Sequence, residues 1–378
     1  MTRKIFLNQI AIVLITFLFS QVVLALILHY LDFGYFNSTN WLRWDSGHYL
    51  QIASKGYELF PCAGKFGFPL KSTEICGNTG WFPGYPLLIK LLSYLFKNDI
   101  IVAGVISKLF YFMSLLMVLK ILDISRFLLK SLLFLCIPAF SFGFIFYNAI
   151  FPISAVLFFV LSGIYFFIKR KILLAGLFCF LAAFFYPTGF LLSFVFAITI
   201  LITGNESFKQ KVVKLLIPVT MGGLGVIAVF AIFQITVNDW TAFLQVQAKY
   251  GHSFQSPVKN IGSFLQNASL FNSFSISHFI HYQSILIISG YIAISYFFFT
   301  KRIYKNELYL LTYIYITLFL IFPWTISGEL SRCRAESLLL PFVFLLRETK
   351  TRWISVILIF LLGLGIPMSY LFFTGVLI

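Results

Sequence analysis

Long apolar runs alternate with short polar segments along almost the whole chain. The first run, residues 5–30, is too long for the core of a signal peptide and lacks a small-residue cleavage site, so we interpret it as a retained membrane span. Further runs of spanning character lie at residues 100–119, 131–148, 150–168, 172–186, 189–203, 213–236, 283–300, 308–325, 336–346 and 353–374. The pattern predicts a single all-α membrane domain, residues 1–378, with about eleven transmembrane helices.

The basic residues agree with this alternation. Arg3 and Lys4 precede the first run and place the N-terminus in the cytoplasm under the positive-inside rule. The segments then predicted to be cytoplasmic hold Lys120, Arg126, Lys130, Lys169, Arg170, Lys171, Lys209, Lys211, Lys214, Lys301, Arg302, Lys305, Arg347, Lys350 and Arg352. The short runs 172–186 and 189–203 could instead form a re-entrant pair, which would leave the topology on either side unchanged.

The composition is that of a polytopic membrane protein. Of the 378 residues, 60% are hydrophobic and 11% are charged, whereas about one-quarter of the residues in soluble domains are charged. The formal net charge of +16 could suggest nucleic acid. The basic residues are scattered through short loops, however, where they set orientation and contact anionic lipid. We therefore expect membrane lipids, and no nucleic acid, among the partners.

Carboxylates and imidazoles have the opposite distribution. The predicted extracytoplasmic side has two long loops, residues 31–99 and 238–282, and a short one at residues 327–336. Most of the 12 carboxylates lie in these loops, and all 5 histidines lie there or at the outer end of a span. The groups suited to acid–base chemistry therefore face the extracytoplasmic side.

The first long loop combines a polar helix with an apolar one. Residues 45–55 have helical character that Gly56 ends, and residues 86–96 predict an interfacial helix too short to span. On the polar helix Asp45 and His48 lie one turn apart on the same face. They could act as a base with a proton partner, or as two ligands of a divalent cation such as Mg²⁺ or Mn²⁺. Alternatively, Asp45 could only cap the helix.

A turn rich in aromatic residues and proline, W-F-P-G-Y-P, occupies residues 81–86. Its two prolines fix the backbone, so the directions of its rings are restricted. The rings could form a wall of a sugar pocket, or they could anchor a helix at the level of the lipid headgroups. The turn alone does not decide between these two interpretations.

Together the two segments resemble a known signature. Residues 43–58 read R-W-D-x-x-H-Y-L-x-I-A-x-x-G-Y-E, and the turn at 81–86 follows them. This order is similar to the signature of the PIG-V family, the second mannosyltransferase of glycosylphosphatidylinositol assembly, and of its prokaryotic relatives. That family belongs to the GT-C glycosyltransferases. The resemblance implies a GT-C-like helical bundle with interfacial helices in the first extracytoplasmic loop.

The resemblance also implies a reaction. Mannose, or a similar hexose, would move with inversion from a polyprenyl-phosphate-linked donor to a lipid or glycan acceptor. The essential acid of GT-C enzymes maps onto Asp45, which would accept the proton of the acceptor hydroxyl, with His48 beside it. The remaining site residues would be Arg332, Arg334 and Arg43 at the donor phosphate, and Trp44, Tyr49, Glu58, Trp81, Phe82 and Tyr85 around the sugar and acceptor.

Other assignments stay open for the basic residues. Glu329 and Glu336 could neutralise Arg332 and Arg334 in a structural cluster, and Arg43 could orient Asp45 instead of binding phosphate. In the second long loop the further candidates for phosphate binding are Lys249, His252 and Lys259.

Residues 59–80 form an insert between the two motifs, where many relatives have only a few residues. Cys62 and Cys76 both lie in this insert. On an oxidising outer side we expect them to form a disulfide that closes the insert into a loop. Because it lies between the two motifs, the insert could shape acceptor selection.

The competing class is a transporter or flippase of lipids or lipid-linked sugars without transferase activity. Such a protein needs charged residues within the membrane or broken helices in matched halves. Lys108 is the basic residue deep in a predicted span, and no inverted repeat is evident. We expect a multi-pass protein of the bacterial plasma membrane, with the endoplasmic reticulum as the alternative. Apart from the cation considered above, we expect no cofactor.

Overall fold

The computed structural model describes residues 3–62, 74–204, 206–267, 279–326 and 331–377. The fold is all-α, as predicted, with 77% of the structure helical. The α-helices of these ranges are α1 (Arg3–Tyr30), α2 (Ser46–Lys55), α3 (Gly84–Phe96), α4 (Asp99–Ile121), α5 (Leu129–Ala139), α6 (Ile145–Asn148), α7 (Ile153–Ile168), α8 (Ile172–Phe185), α9 (Leu191–Ile202), α10 (Phe208–Val237), α11 (Ala242–Lys249), α12 (Pro257–Asn267), α13 (Phe279–Thr300), α14 (Glu307–Trp324), α15 (Arg332–Glu336) and α16 (Thr351–Phe373). Short 3₁₀ helices cover Ser38–Trp41, Pro187–Phe190, Ile303–Lys305 and Ser337–Leu346.

Within the described residues, 6 helices are long and apolar enough to cross a membrane. They are α1, α4, α10, α13, α14 and α16, and each overlaps a span predicted from the sequence. The chain is therefore a multi-pass membrane protein.

The other predicted spans correspond to shorter elements. The predicted span 131–148 is divided between α5 and α6, and 336–346 is largely a 3₁₀ helix. The helix α7, at 16 residues, is about 24 Å long, whereas the hydrocarbon core of a bilayer is about 30 Å thick. The predicted count of about eleven spans is therefore not confirmed, because an apolar run can be enclosed by other helices instead of crossing lipid.

The helix α7 lies inside the bundle. Its sequence is apolar on every side and most of its residues are buried, as expected for an enclosed helix. It packs against α4 and α8, and α8 packs against α10. The α8–α10 contact is close at Gly225, where a Cβ atom would lie 2.6 Å from the carbonyl oxygen of Phe180.

The segment between α1 and α4 has the order of elements predicted for the first long loop. The helix α2 ends at Gly56, whose φ of 87° lies in the left-handed region that glycine adopts easily. The helix α3 starts at Gly84 and leaves one side exposed, including Leu91 and Tyr94. These two helices match the predicted polar and interfacial helices.

A short hairpin connects α2 to α3. Strands β1 (Leu59–Pro61) and β2 (Ile75–Gly77) pair antiparallel, with Phe60 opposite Cys76. The second long loop contains α11 and α12 and packs on this hairpin region through α11. The two loops therefore form one surface at the end of the bundle that carries α2.

Candidate functional site

Asp45 lies at the N-cap position of α2, but its side chain makes no capping hydrogen bond. The carboxylate instead pairs with a remote arginine, since Arg334 Nη1 donates to Asp45 Oδ2. This contact joins the first long loop to α15, across 289 positions of the chain. The helix-cap interpretation of Asp45 is therefore wrong, because the carboxylate is turned toward a guanidinium and away from the helix backbone.

The Asp45–Arg334 pair is mostly buried but remains partly accessible to solvent. The side chains of Arg334 and Asp45 are 17% and 21% exposed, respectively. The guanidinium carbon of Arg334 lies 5.1 Å from the ring centroid of Phe151, which gives the cation an aromatic neighbour. Burial lowers the pKa of Arg334 to about 10, so this side chain remains charged near neutral pH.

Arg43 is directed at the end of α16. Its Nε donates to the carbonyl oxygen of Phe372 at 3.1 Å, its Nη2 to that of Phe373 at 2.5 Å, and its Nη1 to that of Leu42 at 2.7 Å. The last carbonyls of a helix have no partner within the helix, so a guanidinium satisfies them well. This geometry gives Arg43 an anchoring task and does not aim it at Asp45.

The residue between them, Trp44, has a positive φ of 42°. Such a conformation is uncommon for a bulky residue and is usually held by its surroundings. Here the Trp44 ring packs edge-on against Phe372 at 5.6 Å between centroids. The turn at Trp44 lets Arg43 reach α16 while Asp45 faces α15.

His48 is not joined to Asp45 by a hydrogen bond within the described residues. Its ring stacks on Trp81, with centroids 3.6 Å apart and an interplanar angle of 17°. Burial lowers the pKa of His48 to about 4, with a further lowering by Lys249 and an opposing effect of Glu58. His48 is therefore a neutral imidazole near pH 7, and its stack brings the two sequence motifs together.

The rings of the turn at 81–86 mostly point into the protein. Phe82 is 4% exposed and packs against Val229, Phe233 and Ala242. Tyr85 is fully buried, and its hydroxyl donates to the carbonyl oxygen of Ala103 at 2.9 Å and lies 2.8 Å from Ser107 Oγ.

Tyr49 is also buried, edge-on to Tyr85 at 5.5 Å. The prediction that Tyr49, Phe82 and Tyr85 line a sugar pocket is therefore corrected. These rings fill the contacts of α2 and α3 with the bundle and leave no face for a ligand.

Glu58 is exposed, and its carboxylate accepts from Gln51 Nε2. The turn around it depends on Asn78, a buried residue that the sequence analysis missed. The backbone N–H of Glu58 donates to Asn78 Oδ1 at 2.9 Å, and Asn78 Nδ2 donates to the carbonyl oxygen of Gly56 at 3.1 Å. Because asparagine is common in turns and its partners are about 20 positions away, no sequence signal marked this role.

Cys62 and Cys76 are joined by a disulfide across the hairpin, and both are buried. The residues between them that would form the rest of the insert, 63–73, lie outside the described residues. Beyond the hairpin, Thr79 Oγ1 donates to the carbonyl oxygen of Ala242 at 3.0 Å, and Gln247 Nε2 donates to that of Gly80 at 3.3 Å. The insert is therefore attached to α11 of the second long loop.

Arg332 and Arg334 point in different directions. The guanidinium carbon of Arg332 lies 4.4 Å from the ring centroid of Trp324 and 5.3 Å from that of Phe264. Two residues that are two positions apart in a helix lie about 200° apart around its axis. This geometry therefore does not favour the expectation that both arginines bind one phosphate.

Glu336 does not neutralise either arginine through an ion pair among the described residues. It is 5% exposed and accepts hydrogen bonds from Ser284 Oγ at 2.5 Å and from Gln283 Nε2 at 2.7 Å. The other proposed neutralising residue, Glu329, lies outside the described residues. Burial raises the pKa of Glu336 to about 7, and the charge of Arg332 opposes that shift, so the alternative of a structural cluster keeps support from Glu336 for Arg332.

A cation held by Asp45 and His48 is not favoured, because Asp45 pairs with Arg334 and His48 stacks on Trp81. Among the described residues, no group of three or more His, Cys, Asp or Glu side chains lies close enough together to hold a metal ion. At this place the structure brings a carboxylate beside a guanidinium.

The sequence matches no protein-family model and no curated protein.

Proposed function

We propose that this chain is a membrane glycosyltransferase of the GT-C type, similar to the PIG-V mannosyltransferases. It would transfer mannose, or a similar hexose, from a polyprenyl-phosphate-linked donor to a lipid or glycan acceptor, with inversion. The observation that carries the proposal is the Asp45–Arg334 pair. It places the acid of the first motif beside a cation from a remote segment, at the end of the bundle where the two long loops meet.

The pair supplies the two groups that the reaction needs. In the proposed step, the acceptor oxygen forms a bond to the anomeric carbon while the bond from that carbon to the phosphate oxygen breaks. Asp45 takes the hydroxyl proton as general base, and the electron pair of the broken bond leaves with the lipid phosphate. Arg334 stabilises the charge on that phosphate, and its sheltered position makes the interaction stronger than in water.

The ion pair also fixes the direction of the Asp45 carboxylate before substrate binds. A phosphate oxygen that enters beside Arg334 would compete with Asp45 for the guanidinium donors, which are arranged for bidentate contact. Release of the carboxylate from Arg334 would leave it available to the acceptor hydroxyl as the donor binds. This order of events couples donor binding to activation of the base.

The proposed enzyme also has a defined topology and location in the membrane. The shorter apolar helices, together with the long ones, would complete a bundle of about eleven membrane-embedded segments. The site would face the extracytoplasmic side, opposite the basic segments, in the bacterial plasma membrane or in the endoplasmic reticulum. The insert at 59–80, attached to α11, would contact the acceptor.

The test is an assay of the purified full chain with polyprenyl-phosphate-mannose and candidate acceptors. Asp45→Asn removes the base and keeps the shape, so we expect product formation to fall by about 10²- to 10⁴-fold. The matched control is Asp32→Asn in the same loop, where φ is 56° and asparagine is well tolerated. Transfer that persists in Asp45→Asn, or that Asp32→Asn lowers equally, would contradict the assignment.

The alternative is a transporter or flippase of lipid-linked sugars. The half-buried Lys108 within α4 is the observation that favours it, because charged residues inside a span are rare unless they serve a function. A transporter would move donor lipid across a vesicle membrane and would leave the bond to phosphate intact. Hydrolysis or transfer of the sugar by purified protein excludes that alternative.

A further inference from the structure

Lys108 is an unusual residue for its position in the fold. It lies within α4, and its Cα is about 14 Å along the helix from Asp99, the first residue of that helix. Within the described residues, no carboxylate forms an ion pair with Lys108. A cation placed this deep without an acidic partner indicates a site for a ligand of opposite charge.

The side chain is held by the segment that leads to Asp45. Lys108 Nζ donates to the hydroxyl oxygen of Tyr35 at 3.0 Å, and it lies 4.5 Å from the ring centroid of Tyr35 and 4.2 Å from that of Trp41. Both rings offer their faces to the ammonium group, which is a favourable but incomplete substitute for an anion.

A chain of hydrogen bonds fixes this arrangement. The Tyr35 hydroxyl donates to Gln21 Oε1 at 2.7 Å, so its oxygen lone pairs remain for Lys108. Gln21 Nε2 in turn donates to Asn148 Oδ1 at 2.8 Å, and Trp41 Nε1 donates to the carbonyl oxygen of Tyr35 at 3.1 Å. These contacts therefore fix the position of the ammonium group.

The direction of Lys108 around α4 shows what it faces. Residues seven positions apart in a helix differ by about 20° around the axis, so Lys108 lies on the same stripe as Ile101. Ile101 on this stripe and Val105, about 60° from Lys108, are 53% and 57% exposed, whereas Leu115 and Tyr111, about 20° and 60° away on the other side, are fully buried. In a helix that spans a membrane, such exposed apolar residues face lipid. The stem of Lys108 therefore lies at the lipid-facing edge of the bundle.

The side chain leans toward the start of α4, as helical side chains do. This brings the ammonium group toward the membrane boundary at the end of the bundle that carries Asp45. Phosphate groups of lipids lie at that level, and a lysine that snorkels toward it can bind them.

We propose that Lys108, together with Tyr35 and Trp41, forms a binding site for the anionic phosphate headgroup of a membrane lipid at the edge of the bundle beside α1 and α4. The lipid tails would lie along the exposed stripe of α4, and the phosphate would supply the charge that the described residues do not. The site does not depend on glycosyl transfer, so its test is separate from the assay of Asp45.

The test titrates the purified full chain, in a neutral detergent, with phosphatidylglycerol and counts bound lipid by native mass spectrometry. Lys108→Met keeps the apolar stem and removes the charge, so we expect the affinity of one bound lipid to fall by about five- to tenfold. Lys108→Arg keeps the charge and should retain that lipid. The matched control is Lys90→Met, which removes an exposed lysine of α3.

Unchanged lipid binding by Lys108→Met, or an equal loss in Lys90→Met, would overturn the proposal. Inorganic phosphate at millimolar concentration is a competing arm of the titration. Binding of phosphate at Lys108 without any binding of phosphatidylglycerol would assign the site to free phosphate and overturn the lipid assignment.

A second measurement uses the wild-type chain and does not depend on how the variants fold. Phosphatidylglycerol with a photoreactive headgroup is cross-linked to the protein, and the labelled peptides are identified. Labels within residues 35–41 or 101–112 support the site, whereas labels confined to other segments refute it.

Discussion

The two halves of the sequence motif, residues 43–58 and 81–86, lie side by side but present different surfaces. Asp45 in the first half and its partner Arg334 keep about a fifth of their side-chain surface exposed. Phe82 and Tyr85 in the second half are 4% and 0% exposed. The first half keeps a charged pair partly open to solvent, and the second half holds the loop against the bundle. Residues that stand together in a motif can therefore have chemically unrelated tasks.

We expect the largest effect from a substitution that removes charge from the Asp45–Arg334 pair. We expect Arg334→Gln to lower kcat/KM for sugar transfer by about 10²- to 10³-fold, because the leaving phosphate loses its cation. Combined with Asp45→Asn, the loss should be much less than the product of the single losses, because both groups act in one step. The control is Arg332→Gln, whose guanidinium lies on Trp324. An equal loss in this control would place the phosphate elsewhere.

The buried half is tested by Phe82→Ala. Its ring fills a cluster with Val229 and Phe233, so we expect the free energy of unfolding to fall by about 3 kcal/mol. The comparison is Phe36→Ala, where the ring is 95% exposed and little change is expected. Thermal unfolding in detergent measures both variants. A higher KM for acceptor at unchanged stability would instead show that Phe82 lines a pocket.

The link between the halves is tested at the Cys62–Cys76 disulfide. It closes a loop with a sequence separation of 14, and loss of such a cross-link costs about 2–3 kcal/mol in the chain-entropy model. We expect Cys62→Ser combined with Cys76→Ser to unfold at lower temperature and to be insensitive to reductant. Wild-type protein should shift toward the variant when it is reduced. A reductant effect that persists in the double variant would have to come from the other cysteines, Cys136, Cys179 and Cys333.

The smallest expected effect concerns the His48–Trp81 stack, where the two halves touch. The pKa of His48 is about 4 in the folded chain and near 6.5 when unfolded, so the unfolded state binds the proton first as pH falls. The stability from neutral His48 is complete above pH 6.5 and is lost between pH 6.5 and 4. After discounting for partial exposure, we expect a loss of about 1 kcal/mol. His48→Phe keeps a ring on Trp81 and should unfold with a flatter pH profile over this window, as unfolding measured at several pH values would show. An unchanged slope would rule out His48 as its source.

Local features of the fold followed from the sequence. The end of α2 at Gly56 and the short apolar helix α3 depend on residues within one or two turns, and both were predicted. The long spans were predicted because length and apolarity suffice. The shorter elements were harder, because hydropathy does not distinguish a helix enclosed by protein, such as α7, from one that crosses lipid.

The candidate site was predictable as a list of residues but not as an arrangement. Asp45 and Arg334 could each be named, yet their contact spans 289 positions and no periodicity reports it. The burial of Tyr49 and Tyr85 was missed because an aromatic ring suits a core as well as a sugar pocket. Helical geometry alone could have separated Arg332 from Arg334, since the two lie on opposite sides of one turn.

The hydrogen bonds of Arg43 have a consequence for how the protein is made. They join the first long loop to the last residues of α16, across 329 and 330 positions. During synthesis the first long loop leaves the ribosome long before α16 is made. The carbonyl groups that bind Arg43 are therefore available only near the end of translation. A nascent chain that stops before α16 would carry the whole motif but would lack the carbonyl groups that hold Arg43. The attachment of the first long loop to the bundle is therefore completed last.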